Sequence, residues 1–156
     1  MDFIAHGFWS YIIFHKTKKP LYAVLFGLLP DIISWGPYMV YRLFTDFSFG
    51  KPVLEKIPDW VYTLYGVGHS IFVWALIIAI IYFINKKYFI YTLAAPIEII
   101  IDAFTHSREF LPTPFLWPVS EWTFPGISWG QWWFMLINYV LIVVCMIYIL
   151  RKKRKG

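Results

Sequence analysis

Residues 130–156 read GQWWFMLINYVLIVVCMIYILRKKRKG, an apolar run closed by the basic block Arg151 to Lys155. A helix needs roughly 20 apolar residues to cross a hydrocarbon core of about 30 Å, and 130–150 meets that length. Upstream, three more segments meet it, at approximately 20–44, 61–85 and 88–106. The stretch 3–15 is apolar but reaches only about 20 Å as a helix, so it crosses partway, tilts or packs inside the bundle. The pattern predicts an all-α, polytopic helical membrane protein, with four transmembrane helices plus a short N-terminal apolar helix. One integral membrane domain spans 1–156.

Composition agrees. Of the residues, 60% are hydrophobic, 22% aromatic and 15% charged, whereas soluble domains are about half apolar and about a quarter charged. The single cysteine, Cys145, excludes a disulfide framework and a thiolate metal site. Met1-Asp2-Phe3 lacks a basic n-region, so no cleaved signal peptide is expected.

Charge placement sets orientation. Lys16, Lys18 and Lys19 follow the first segment, Lys86 and Lys87 separate two spans, and Arg151 to Lys155 close the chain. With four spans paired between them, all three clusters fall on one side, which the positive-inside rule makes the cytoplasm. His15 sits among these lysines and is expected to be solvated. The opposite side holds the 45–60 and 107–129 loops, with Asp46, Glu55, Asp59, Glu109 and Glu121. The expected setting is the cell inner or plasma membrane with a cytoplasmic C-terminus. The net charge of +5 therefore serves headgroups and orientation, and no nucleic-acid partner is expected. Trp60, Tyr62, Trp117, Trp122, Trp129, Trp132 and Trp133 crowd the boundaries as an interfacial belt.

Ionisable side chains inside a span are costly, and they mark function by default. His6, Asp31, His69, Glu98, Asp102 and His106 all lie in apolar segments. At about 1.5 Å per residue, helices running in opposite directions bring all six to the middle and outer half of the bilayer. Glu98, Asp102 and His106 are four apart and form one helical stripe. Pro30 and Pro96 each remove a backbone hydrogen bond nearby. Freed carbonyls are tolerated in a membrane where they line a cavity or meet a polar partner. Asp31 could also cap a helix restart after Pro30, and His69 with Ser70 could bond a neighbouring helix.

Imidazole and carboxylate together suit zinc or another divalent transition metal such as manganese or iron. Six candidates exceed one tetrahedral shell. Either two ions bind, or some members orient ligands or act as a general base. There is no H-E-x-x-H, no phosphate-cradling Gly-rich loop and no G-x-S-x-G elbow.

The order His6-Gly7, Gly27-Leu28-Leu29-Pro30-Asp31, Gly68-His69-Ser70, Asp102-Ala103-Phe104-Thr105 and Leu116-Trp117-Pro118-Val119-Ser120 resembles the YdjM-like membrane-bound metal-dependent hydrolases. The resemblance covers most of the chain from 5 to 120. Glu98 stands where that family's H-x-x-x-D pattern has its histidine, and Ile32-Ile33-Ser34 replaces the acid often found after Pro-Asp. Leu64 stands where an additional upstream histidine is usual. The resemblance implies a metal site and hydrolysis. The expected ligands are His6, Asp31, His69, Asp102 and His106, with Glu98 as ligand or general base. Arg108, with Trp117 and Trp122, is expected to position a lipid headgroup, so the expected substrate is a lipid or other amphiphilic ester or phosphoester. A small transporter with a proton relay and a non-catalytic membrane scaffold are the alternatives.

Overall fold

The computed structural model describes residues 1–45, 47 and 53–155; Asp46 lies outside the described residues, as does the side chain of Lys155. The described chain is helical, with no strand. Its helices are α1 (Phe3–Phe14), α2 (Pro20–Thr45), α3 (Asp59–Gly68), α4 (Ile71–Ile84), α5 (Lys86–Thr92), α6 (Ala94–Thr105) and α7 (Trp132–Lys155), with a 3-10 turn at Leu54–Lys56.

Three stretches are long and apolar enough to cross a membrane: Pro20–Thr45, Lys86–Thr105 and Trp132–Arg154. The expected continuous span over 61–85 is instead two helices, α3 and α4, bent by 51°. The break falls at His69-Ser70 and has a local cause. Gly66 and Gly68 weaken the end of α3, while Ser70 caps α4 by accepting from the Val73 amide at 3.2 Å. The span expected over 88–106 is interrupted only at Leu93, three residues before Pro96, which cannot donate to the preceding turn.

α2 is the hub, with α1, α3, α5 and α6 packed on it. Helices apolar enough to lie in lipid would gain little there from burying apolar surface against one another, and close approach through small residues would matter more. The seams follow that rule. Ala5, Gly7, Ser10, Ala23, Gly27, Ser34, Ala94, Ala95 and Ala103 are all buried. At Gly27 an added Cβ would collide with Ser10 Oγ across the α1–α2 seam. α7 leans on α1 through three polar contacts. Trp9 Nε1 donates to Asn138 Oδ1 at 2.8 Å, Tyr139 Oη to Asp2 Oδ1 at 2.8 Å, and Lys153 Nζ to Tyr11 Oη at 2.9 Å. The outer faces of α4 and α7 are exposed leucine, isoleucine, valine and phenylalanine.

Candidate metal centre

Three elements deliver the buried polar groups. α2 carries Asp31 one residue after Pro30, the α3–α4 break carries His69, and α6 carries Glu98 and Asp102 one turn apart. The break is tied to α2 by backbone proximity. A Cβ on Gly68 would lie 2.6 Å from the Pro30 carbonyl oxygen, so only glycine lets α3 come this close. The Trp74 indole locks the same turn by donating to the Gly68 carbonyl at 2.7 Å.

Asp31, His69, Glu98 and Asp102 each offer one ligand atom, and these four atoms lie within 4.8 Å of one another. His69 Nε2 lies 3.5 Å from Glu98 Oε1, 3.7 Å from Asp31 Oδ1 and 3.7 Å from Asp102 Oδ2. Ligand atoms about 2.1 Å from a tetrahedral zinc ion stand about 3.4 Å apart; the His69 distances are already near that, and the other pairs, within 4.8 Å, would close by up to about 1.4 Å around an ion. His69 Nδ1 faces the Tyr65 carbonyl at 3.1 Å. A proton on Nδ1 makes that contact a hydrogen bond and leaves the Nε2 lone pair aimed at the carboxylates, the orientation metal-ligating histidines use.

A second observation tests the fit. His69 Nε2, both Glu98 carboxylate oxygens and Asp102 Oδ2 are buried without a hydrogen-bond partner in the protein. Each such atom costs roughly 1–3 kcal/mol when left unpaired, and unpaired polar atoms are few in native interiors. Three of the four clustered residues thus bring unpaired atoms to one place, as a cation's donor set does. The buried Asp/His/Glu/Asp group can hold a metal ion.

The remaining sequence candidates fall around this group in different ways. His6 Nε2 is 2.7 Å from Asp102 Oδ1 and 3.8 Å from Glu98 Oε1, and neither of its ring nitrogens makes an aligned hydrogen bond. His106 stands just past the end of α6. Its Nδ1 lies 3.3 Å from Asp102 Oδ2 and 3.2 Å from Thr113 Oγ1, and its Nε2 accepts from the Trp129 indole at 3.1 Å. Both nitrogens of His106 are thus engaged, Nδ1 also facing the Asp102 backbone carbonyl at 3.2 Å, which holds the ring against the end of α6. The Met1 amine also bonds Asp102, and it donates to Thr105 Oγ1 at 2.8 Å. Arg108 is not brought to the group: it is exposed and donates to the Thr123 carbonyl at 3.1 Å. Trp117 turns inward, its ring against Gly66 and its carbonyl accepting from Ser70 Oγ at 2.5 Å. Trp122 is exposed and packs on Phe115 and Phe124.

Sequence reasoning did not find Tyr65, Thr113 or the inward role of Trp129. For Tyr65 a signal existed, since it lies four residues before His69, one helical turn away.

A cavity of about 790 Å³ adjoins the centre. Asp31 and His106 form its inner end, together with Tyr65 and Asp2. Trp35, Phe110, Leu111 and Trp129 make apolar walls, and Phe3, Ile32 and Met39, all exposed on the helix surfaces, stand at its edge.

No protein-family model, curated protein or solved structure matches this chain.

Proposed function

We propose that the chain is a membrane-embedded, metal-dependent hydrolase of the YdjM-like kind, acting on the ester or phosphoester of an amphiphile. The observation that carries this reading is the convergence of four buried ligand residues from three elements beside a cavity, three of which, His69, Glu98 and Asp102, hold unpartnered atoms. In this reading the α3–α4 pair is one broken span, giving four spans with the short α1 packed inside. The three lysine and arginine clusters face the cytoplasm and the centre sits in the outer half of the bilayer.

Asp31, His69, Glu98 and Asp102 would hold one divalent ion, with zinc the best match to a mixed imidazole and carboxylate set. Manganese or iron are the alternatives. Such an ion supplies Lewis acidity and lowers the pKa of a bound water.

The protein's own groups do the rest. The Tyr65 carbonyl fixes the His69 ring, and His106, held by the Trp129 indole, keeps Asp102 in place. Hydrolysis requires a base for the water proton and a donor for the leaving oxygen. His6 Nε2, buried beside Asp102 and Glu98, is the group we assign to both transfers in turn. The apolar walls of the cavity exclude bulk water, which strengthens electrostatic interactions at the centre.

The test is hydrolysis by purified, lipid-reconstituted protein against a panel of lipid esters and phosphoesters, with chelation and metal add-back. Activity that falls on chelation, returns with zinc, and is absent from His69→Ala/Asp102→Ala supports the reading. Hydrolysis unchanged in the double variant defeats it. Metal-independent proton flux in its place would make the buried groups a relay.

A further inference from the structure

The cavity beside the centre has a chemical bias. Among the described residues, no lysine or arginine lines it; the ionisable groups that do are the Met1 ammonium and the side chains of Asp2, Asp31, Tyr65 and His106. Asp2 Oδ1 is already used, accepting from the Ala5 amide at 3.0 Å and from Tyr139. Asp2 Oδ2, by contrast, is buried and has no partner. The polar end therefore presents a spare carboxylate oxygen that calls for a donor. The Met1 ammonium, which also lines the cavity, is already held by Asp102 and Thr105, and Asp31 serves the proposed ion, so the unpaired Asp2 oxygen is the group an anionic head would oppose. A hydroxyl group would satisfy it.

The other end is apolar. Ile32, Trp35, Gly36 and Met39 line it along one side of α2, and Phe3 of α1 and Phe110 complete it. Ile32, Met39 and Phe3 are also exposed outward; in the four-span reading that surface would face lipid and the opening would be lateral. The volume of about 790 Å³ falls in the range of roughly 300–1,000 Å³ typical of sites for a single small ligand. That suits one acyl chain with a small head.

We propose that this cavity is a lateral lipid port, taking a single-chain amphiphile whose polar end is uncharged and hydroxyl-bearing. The chain would lie along Ile32–Met39 and the head against Asp2 and Asp31. This sharpens the substrate class of the proposed hydrolase and rests on that reading only for turnover. Capture of the amphiphile does not depend on it.

The experiment compares two probes of matched chain, a monoacylglycerol and a lysophosphatidic acid, each with a diazirine in the acyl chain. Full-length protein in phosphatidylcholine nanodiscs is irradiated and the adducts are mapped by mass spectrometry. The monoacylglycerol is expected to label Phe3 and the Ile32–Met39 stretch, and the lysophosphatidic acid about tenfold less. Gly36→Phe should cut that labelling about tenfold by filling the space. A Cβ there meets only Ile32 Cγ2, at 3.7 Å, so the side chain has room to point into the cavity. Asp2→Asn keeps an N-cap acceptor while removing the charge, and should narrow the gap between the probes.

Adducts spread over the lipid faces of α4 and α7 and insensitive to Gly36→Phe would overturn the port. Equal labelling by the phosphate probe would overturn the neutral-head assignment. His69→Ala/Asp102→Ala should keep the adducts. Adducts without hydrolysis in the wild type would leave the port standing and remove the hydrolase reading alone.

Discussion

His69 uses its two ring nitrogens for different ends, and this division makes the centre testable at single residues. Nδ1 is tethered to the Tyr65 carbonyl, and Nε2 faces three carboxylates. Replacing the ring by alanine removes a donor atom and leaves those carboxylates without it. His106 works indirectly, through the Trp129 indole on one nitrogen and the Asp102 backbone carbonyl on the other. Trp129→Phe keeps the aromatic wall but deletes the N–H donor. It is expected to weaken zinc binding about tenfold, the low end of what losing a group that orients a ligand costs. A competition titration with a fluorescent chelator reads this directly, and unchanged affinity would show that His106 does not brace the centre. The six ionisable candidates were legible because a carboxylate or imidazole inside an apolar run is conspicuous. Trp129 was not, because a tryptophan at a membrane boundary has a sufficient interfacial explanation.

At the scale of elements, the break between α3 and α4 is what turns a helix into a site. A continuous helix over 61–85 would have kept the backbone at residues 69 and 70 in the ladder. The bend of 51° instead sets the turn against Pro30. Hydropathy sees only an apolar run there, so sequence reading extended one span through the break. The local signals, Gly66, Gly68 and the Ser70 cap, were present but outweighed by the length criterion. Gly68→Ala forces a Cβ against the Pro30 carbonyl and is expected to destabilise the fold by about 1–3 kcal/mol, as overpacking does. The readouts are a lower thermal midpoint in detergent and reduced metal content. Ser70→Ala removes the cap of α4 and the bond to Trp117. Loss of the cap alone is expected to cost about 1 kcal/mol. If neither variant moves the midpoint, the break is not held by these contacts.

Across the whole molecule, the fold class followed from apolar run lengths, which physical chemistry ties closely to helices of 20 or more residues. Sidedness is an expectation from lysine and arginine placement, and labelling in a membrane tests it. It is expected that, in a Cys145→Ser background, single cysteines at Lys87 and Lys152 react with an impermeant thiol reagent only from the cytoplasmic face. A cysteine at Glu121 should react only from outside, and the opposite pattern would invert the topology. What run length could not supply is which polar groups meet. Depth was expected to bring six to one half of the bilayer, but only the packing of α2, the α3–α4 break and α6 separates the four clustered atoms from His6 and His106 beside them.

The most direct test of the central claim is metal content per chain, measured by elemental analysis of purified wild type beside a folded His69→Ala/Asp102→Ala variant. Near-stoichiometric zinc, manganese or iron in the wild type, absent from the variant, is the expected result. No metal in either protein after reconstitution, or equal metal in both, would contradict it.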